Sequence, residues 1–151
     1  MRRMPGFALA GATLLATAGP CLAADLIAGP LRAEVVRVVD GDTIEARALL
    51  WIGLSLVSSV RIRGIDTPEM RGACSEEKAM AAAARDLLTE LAGEAIHLTN
   101  IENDKYGGRV IADVASGGGA DLGMAMIERG YARPYDGGAR GDWCPVASVG
   151  G

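Results

Sequence analysis

One histidine, three cysteines without a Cys-x-x-Cys pair and no apolar run of membrane length set the first limits on this chain. His97 stands in an alternating stretch with no partner motif, so it reads as an ordinary strand residue rather than a catalytic one. Structural zinc is excluded on the same count, because it takes Cys and His ligands at short spacing. The apolar stretch from Phe7 to Ala18 falls short of the roughly 20 residues that a membrane helix requires. There is no repeat, coiled coil or long linker. Basic residues are not in excess either: 15 Lys and Arg stand against 19 Asp and Glu. That balance argues against avid, sequence-blind binding to a polyanion, which depends on neutralising many phosphates. It leaves room for a locally basic site.

What is present begins with an export signature. Arg2-Arg3, the apolar run and the small residues Cys21-Leu22-Ala23-Ala24 predict a signal peptide over residues 1–23, cut after Ala23. Its loss removes two arginines and no acids, leaving a net charge of about −6. The remaining stretch of about 128 residues suits one domain with a single core. The expected location is periplasmic or secreted, as a monomer with no membrane attachment after cleavage. Cys21 leaves with the signal peptide. Cys74 and Cys144 then predict one disulfide, as expected in an oxidising compartment. It would close a loop of roughly 70 residues and contribute about 3–4 kcal/mol on the chain-entropy model.

Residues 24–32 read as a short leader. Ala33 to Val39 and Thr43 to Leu50 flank Asp40-Gly41, the pattern of a β-hairpin. Trp51-Ile52-Gly53 breaks the second run, and Leu54 to Ile65 forms a third strand. There Val60 and Ile62 share one face, and Arg61 and Arg63 the other. Ser75 to Ala92 is predicted helical, with Ser75 as cap, Glu76 and Glu77 at the positive end and Gly93 as the stop. Met80, Ala84, Leu87 or Leu88, and Leu91 make its apolar stripe. Strands follow over Glu94–Ile101 and Arg109–Ala115, then a short helix capped by Asp121 and running to Arg129. The tail over 136–151 is Gly-rich and irregular. Three strands, a helix, two strands and a helix describe a small, mainly β α+β barrel, for which the OB-fold is a candidate.

Three acids, Asp42, Asp66 and Glu69, sit at strand exits rather than on helix faces. Gathered by barrel closure, they would form an oxygen-rich site for a hard cation such as Ca²⁺. From spacing alone, ordinary turns are the favoured reading. Arg61, Arg63 and Arg109 are candidates for phosphate, since the guanidinium fork donates two parallel hydrogen bonds and stays charged.

Three blocks sharpen this reading. Val38-Val39-Asp40-Gly41-Asp42-Thr43, then Val60-Arg61-Ile62-Arg63-Gly64-Ile65-Asp66-Thr67-Pro68-Glu69, then Asp104-Lys105-Tyr106-Gly107-Gly108-Arg109 resemble the staphylococcal nuclease family in sequence and order. The resemblance covers residues 33–135. It implies a five-stranded OB-fold barrel with an inserted helix and a short second helix, and Ca²⁺-dependent cleavage of DNA and/or RNA leaving 3′-phosphate ends. Carried over by motif, Asp42, Asp66 and the Thr67 carbonyl would hold Ca²⁺, and Glu69 would hold or deprotonate the attacking water. Arg61 and Arg109 would be the catalytic arginines, and Arg63 structural or peripheral. Lys105, Tyr106 and Tyr135 are candidates for contact with phosphate or base.

Two departures stand out. The family's Tyr-Gly-Arg is Tyr106-Gly107-Gly108-Arg109 here, so the turn must absorb one glycine. The family's long C-terminal helix is replaced by the short tail, which a Cys74–Cys144 bridge would pin to the start of the first helix. The alternative reading is a non-catalytic OB-fold module that binds nucleic acid or a protein partner.

Overall fold

The computed structural model describes residues 26–144; the expected signal peptide lies outside the described residues. Five strands close a barrel: β1 (Leu31–Val38), β2 (Thr43–Trp51), β3 (Leu54–Ile62), β5 (Ala95–Asn103) and β6 (Arg109–Ser116). Their order is β1-β2-β3-β6-β5, with β5 pairing back onto β1. Only the β3–β6 contact is parallel. Helix α1 (Ser75–Ala92) is inserted between the third and fourth barrel strands, and α2 (Leu122–Glu128) follows the fifth. This is the OB-fold arrangement. Among the described residues, no helix is long and apolar enough to cross a membrane.

Alternation fills the barrel. Ile44, Ala46, Val60, Ile62, Ile96, Leu98, Ala112 and Val114 are buried together, joined by Leu88 of α1 and Leu122 and Met126 of α2. Helix α1 starts and stops where its sequence signals place it, but two details differ. Its cap is Cys74, whose sulfur accepts from the Glu77 amide, while the Ser75 hydroxyl turns to Glu76. Its buried stripe is Glu77, Ala81, Ala84, Leu88 and Ala92, with Met80 exposed. The alanine face matters because it lets α1 approach the β1–β2 turn closely. A Cβ on Gly41 would stand 2.9 Å from the Ala84 Cβ and 3.0 Å from the Thr67 hydroxyl. The turn, α1 and the Thr67 segment are therefore packed directly on one another.

The third strand is shorter than expected. It ends at Ile62; Gly64, at φ 78°, turns the chain, and Ile65–Asp66 forms a separate short strand, β4. Its partner is β7 (Arg133–Pro134), with Asp66 opposite Arg133. At its N-terminal end β1 begins at Leu31, and Ile27 bridges to Ile101, so part of the leader joins the barrel. Cys74 and Cys144 are joined in a disulfide, their Cα atoms 6.0 Å apart.

Candidate active site

The site grows from the β1–β2 turn. The Asp42 amide donates to the Asp40 carboxylate at 3.1 Å, and the Ile62 amide donates to the Asp42 carbonyl at 2.8 Å. Thr43 and Arg61 are cross-strand partners, so the register of β2 on β3 sets Arg61 beside Asp42. Arg61 Nη1 lies 2.8 Å from both Asp42 carboxylate oxygens, and its Nη2 donates to the Ile65 carbonyl at 3.3 Å. The Thr43 hydroxyl donates to Asp42 Oδ1 at 2.8 Å. Asp42, Thr43, Arg61, Asp66 and Thr67 are all buried. Burying two ions costs several kcal/mol apiece, which only close pairing and extra hydrogen bonds offset. One arginine does not suffice here. Burial lifts the Asp42 carboxyl to about 6, against the pull of Arg61 and with repulsion from Asp40 adding to the rise.

Asp66 is buried with one of its oxygens unsatisfied. Its Oδ2 accepts from Trp143 Nε1 at 3.1 Å. Its Oδ1 is buried without a hydrogen-bond partner, although Arg140 Nε comes within 3.4 Å. An orphaned carboxylate oxygen is expensive, and together with the buried Asp42 carboxylate it fits a cation bound at this end of the barrel. Thr67 is buried against Gly41, beside the same turn. Glu69 is exposed and ion-paired to Arg140 Nη1.

The arginines and the substrate candidates meet in an open cleft of about 490 Å³, lined among others by Arg61, Lys105, Tyr106, Arg109, Tyr135 and Arg140. Arg109 is the first residue of β6, and Gly108, at φ 82°, turns the chain into it. Its Nε donates to Asp104 Oδ2 at 2.6 Å and its guanidinium stacks 5.0 Å from the Tyr106 ring centre. Lys105 lies over the same ring, and the Tyr135 hydroxyl donates to the Gly138 carbonyl. Arg63 points elsewhere: it reaches the Asn100 carbonyl at 2.6 Å and Asp113 at 3.2 Å, clasping β5 to β6.

The three acids are not drawn into one tight cluster, because Asp42 is turned onto Arg61, and Asp66 and Glu69 onto Arg140. Among the described residues, the one group of three metal-binding side chains within 4.8 Å is Cys74, Glu77 and Cys144. Its sulfurs are spent in the disulfide, and Glu77 accepts from the Glu69 and Ala73 amides instead.

A sequence profile for the family described as "Staphylococcal nuclease homologue" matches residues 59–141. The chain belongs to the staphylococcal nuclease homologue family. Two curated relatives, from Escherichia coli and Escherichia coli O157:H7, each bear the name "Uncharacterized endonuclease" and are 31% identical over 120 residues. The match takes in 78% of this chain and 66% of each relative, so the chain spans just under two thirds of their length. The family match runs from Ser59 through the β3 exit, α1 and the cleft into the tail, ending at Gly141. Two residues that contact Asp66, Arg140 and Trp143, carry no sequence signal of their own. Arg140 sits in an Arg-Gly-Asp triplet too common to carry meaning, and Trp143 in a tail that reads as irregular. Their nearness to Cys144 was the only hint.

Proposed function

We propose that this chain is an exported, Ca²⁺-dependent phosphodiesterase that hydrolyses DNA and/or RNA as a monomer and leaves 3′-phosphate ends. The observation that carries the reading is the orphaned Asp66 oxygen, 3.4 Å from Arg140 of the arginine-lined cleft, in a chain of the nuclease homologue family. Asp42, Asp66 and the Thr67 carbonyl would hold the cation. When bound, it neutralises charge on the phosphate and makes the phosphorus more electrophilic. Arg61 and Arg109 take the non-bridging phosphate oxygens through their planar forks and stabilise the charge that grows there during attack. Glu69 orients a water and accepts its proton. The water oxygen bonds to phosphorus, the bond to the 5′ oxygen breaks, and that oxygen takes a proton from solvent. Lys105, Tyr106 and Tyr135 steady the neighbouring phosphate and base. The Cys74–Cys144 bridge supports the exported, periplasmic or secreted location.

Digestion of single-stranded DNA by the chain from residue 24 onward tests this. Cleavage is expected with Ca²⁺ and is expected to be lost with a chelator or in Glu69→Gln. Equal activity in all three arms would remove the mechanism. Salt-sensitive binding without cleavage would favour the non-catalytic module.

A further inference from the structure

The segment after β7 folds back over the site instead of trailing away from it. The Tyr135 amide donates to the Gly64 carbonyl at 2.9 Å, which starts the loop beside β4. The Gly138 amide then returns to the Asp136 carboxylate at 3.2 Å. Arg133 Nη1 donates to the Asp142 carbonyl at 2.9 Å, and its guanidinium stacks 3.8 Å from the Trp143 ring centre. Cys144 closes the loop by its bond to Cys74 at the cap of α1. The loop is thus fixed at both ends, and Trp143 leans from it onto Asp66.

Arg140 differs from every other arginine of the site in how it is held. Arg61 is buried and committed to Asp42, and Arg109 donates to Asp104 at 2.6 Å. Arg140 is half-exposed, misses hydrogen-bond geometry with Asp66, and otherwise meets Glu69. Those two carboxylates are the groups that the proposed function assigns to cation and water. Once they are so engaged, Arg140 has lost its partners, and its guanidinium already lines the cleft shared by Arg61 and Arg109. A freed, permanently charged fork beside two others faces phosphate.

We infer that Arg140 is a third phosphate-binding arginine, presented to the substrate by a loop that the Cys74–Cys144 bridge holds closed. The inference rests on the nuclease reading of the site. Arg140 has two alternating partners: the acids in the free protein, and a phosphate of the nucleic acid in the loaded one. Trp143 is a positioning residue, holding Asp66 through the indole N–H. The bridge keeps the guanidinium within reach, so that its contact is effectively intramolecular once substrate is bound.

The test measures binding apart from turnover. A fluorescently labelled phosphorothioate DNA octamer is titrated by anisotropy, with Ca²⁺, into oxidised wild type, Arg140→Gln, Arg140→Lys, Cys144→Ser and the Arg140→Gln/Cys144→Ser double variant. Calorimetry without DNA follows Ca²⁺ uptake by wild type and Arg140→Gln. Losing one charge-assisted contact should weaken octamer binding roughly tenfold in Arg140→Gln, with partial recovery in Arg140→Lys. In the Cys144→Ser background the same substitution should cost less than about twofold. Ca²⁺ uptake without DNA should be no weaker in Arg140→Gln, because a competing cation has gone. Phosphine reduction of wild type checks the bridge without a substitution. Wild-type affinity in Arg140→Gln overturns the inference while leaving the nuclease reading intact. An undiminished tenfold cost in the Cys144→Ser background overturns the role of the bridge. A wild-type protein that takes up neither Ca²⁺ nor octamer overturns the nuclease reading itself.

Discussion

The β2–β3 ladder has two ends that invert the usual distribution of polar and apolar side chains. Where Thr43 faces Arg61, charged residues are buried: Asp42 is 3% exposed and Arg61 8%. Where Trp51 faces Leu54, apolar residues stand in water: Trp51 is 73% exposed and Ile52 92%. An exposed apolar side chain forgoes a stabilisation of about 1.5–3 kcal/mol but does not strain the fold. A buried charge is different, because it must be paid for in pairing and hydrogen bonds. The polar end supplies them through Arg61 and Thr43. Even so, burial lifts the Asp42 carboxyl, and the Asp66 Oδ1 accepts no hydrogen bond although Arg140 Nε lies 3.4 Å away. One end of the ladder tolerates its misfit, and the other is organised around it.

The largest expected effect comes from breaking the organised end. Arg61→Ala should lower the rate of DNA cleavage by about 10²–10³-fold and cost about 3 kcal/mol of stability, since it leaves Asp42 buried without its partner. Steady-state cleavage and urea denaturation of the same preparation measure both. A surface arginine would give a change within about 0.5 kcal/mol.

A smaller effect is expected from pH. Burial raises the Asp42 carboxyl to about 6, so the folded protein holds that proton more readily than the unfolded chain. The stability from this group is therefore present below its ordinary value and is lost as pH rises through about 6. In chelator, thermal denaturation should show a decline on the order of 1–3 kcal/mol across that window. Added Ca²⁺ should reduce or reverse it. Superimposable profiles with and without Ca²⁺ would contradict this.

The smallest effect belongs to the other end. Ile52→Ser, at a position open to solvent, should change stability by less than about 0.5 kcal/mol and leave cleavage unchanged. A loss above 1 kcal/mol, read from the urea midpoint, would show that the hairpin tip is not the tolerant end.

Local signals explain what was legible in the sequence. The turn at Asp40-Gly41, the limits of α1 between the Cys74-Ser75 junction and Gly93, and the start of β6 at Arg109 follow from residues adjacent in the chain. Alternation also separated Val60 and Ile62 from Arg61, and the nuclease-family motif distinguished Arg61 from Arg63. The failures are of another kind. Ile65–Asp66 is a separate strand because its partner, Arg133–Pro134, lies far along the chain. Met80 faces outward because rotating an alanine-rich helix by one residue changes its buried face with little change in pattern. Cys74 caps α1 through a sulfur that sequence rules credit to Ser75. Arg140 and Trp143 reach the acids only because the loop closes on Cys74. Apart from the cap, which moves by one residue, each miss is a long-range contact or a choice between near-equivalent faces.

The buried acids at the polar end hold a cation if Asp66 is one of its ligands. Isothermal calorimetry of Ca²⁺ into the wild type and into Asp66→Asn asks this directly. One bound Ca²⁺ per wild-type chain is expected, with at least roughly tenfold weaker binding in Asp66→Asn. A wild type that takes up no Ca²⁺, or an Asp66→Asn variant that binds it equally well, would contradict this.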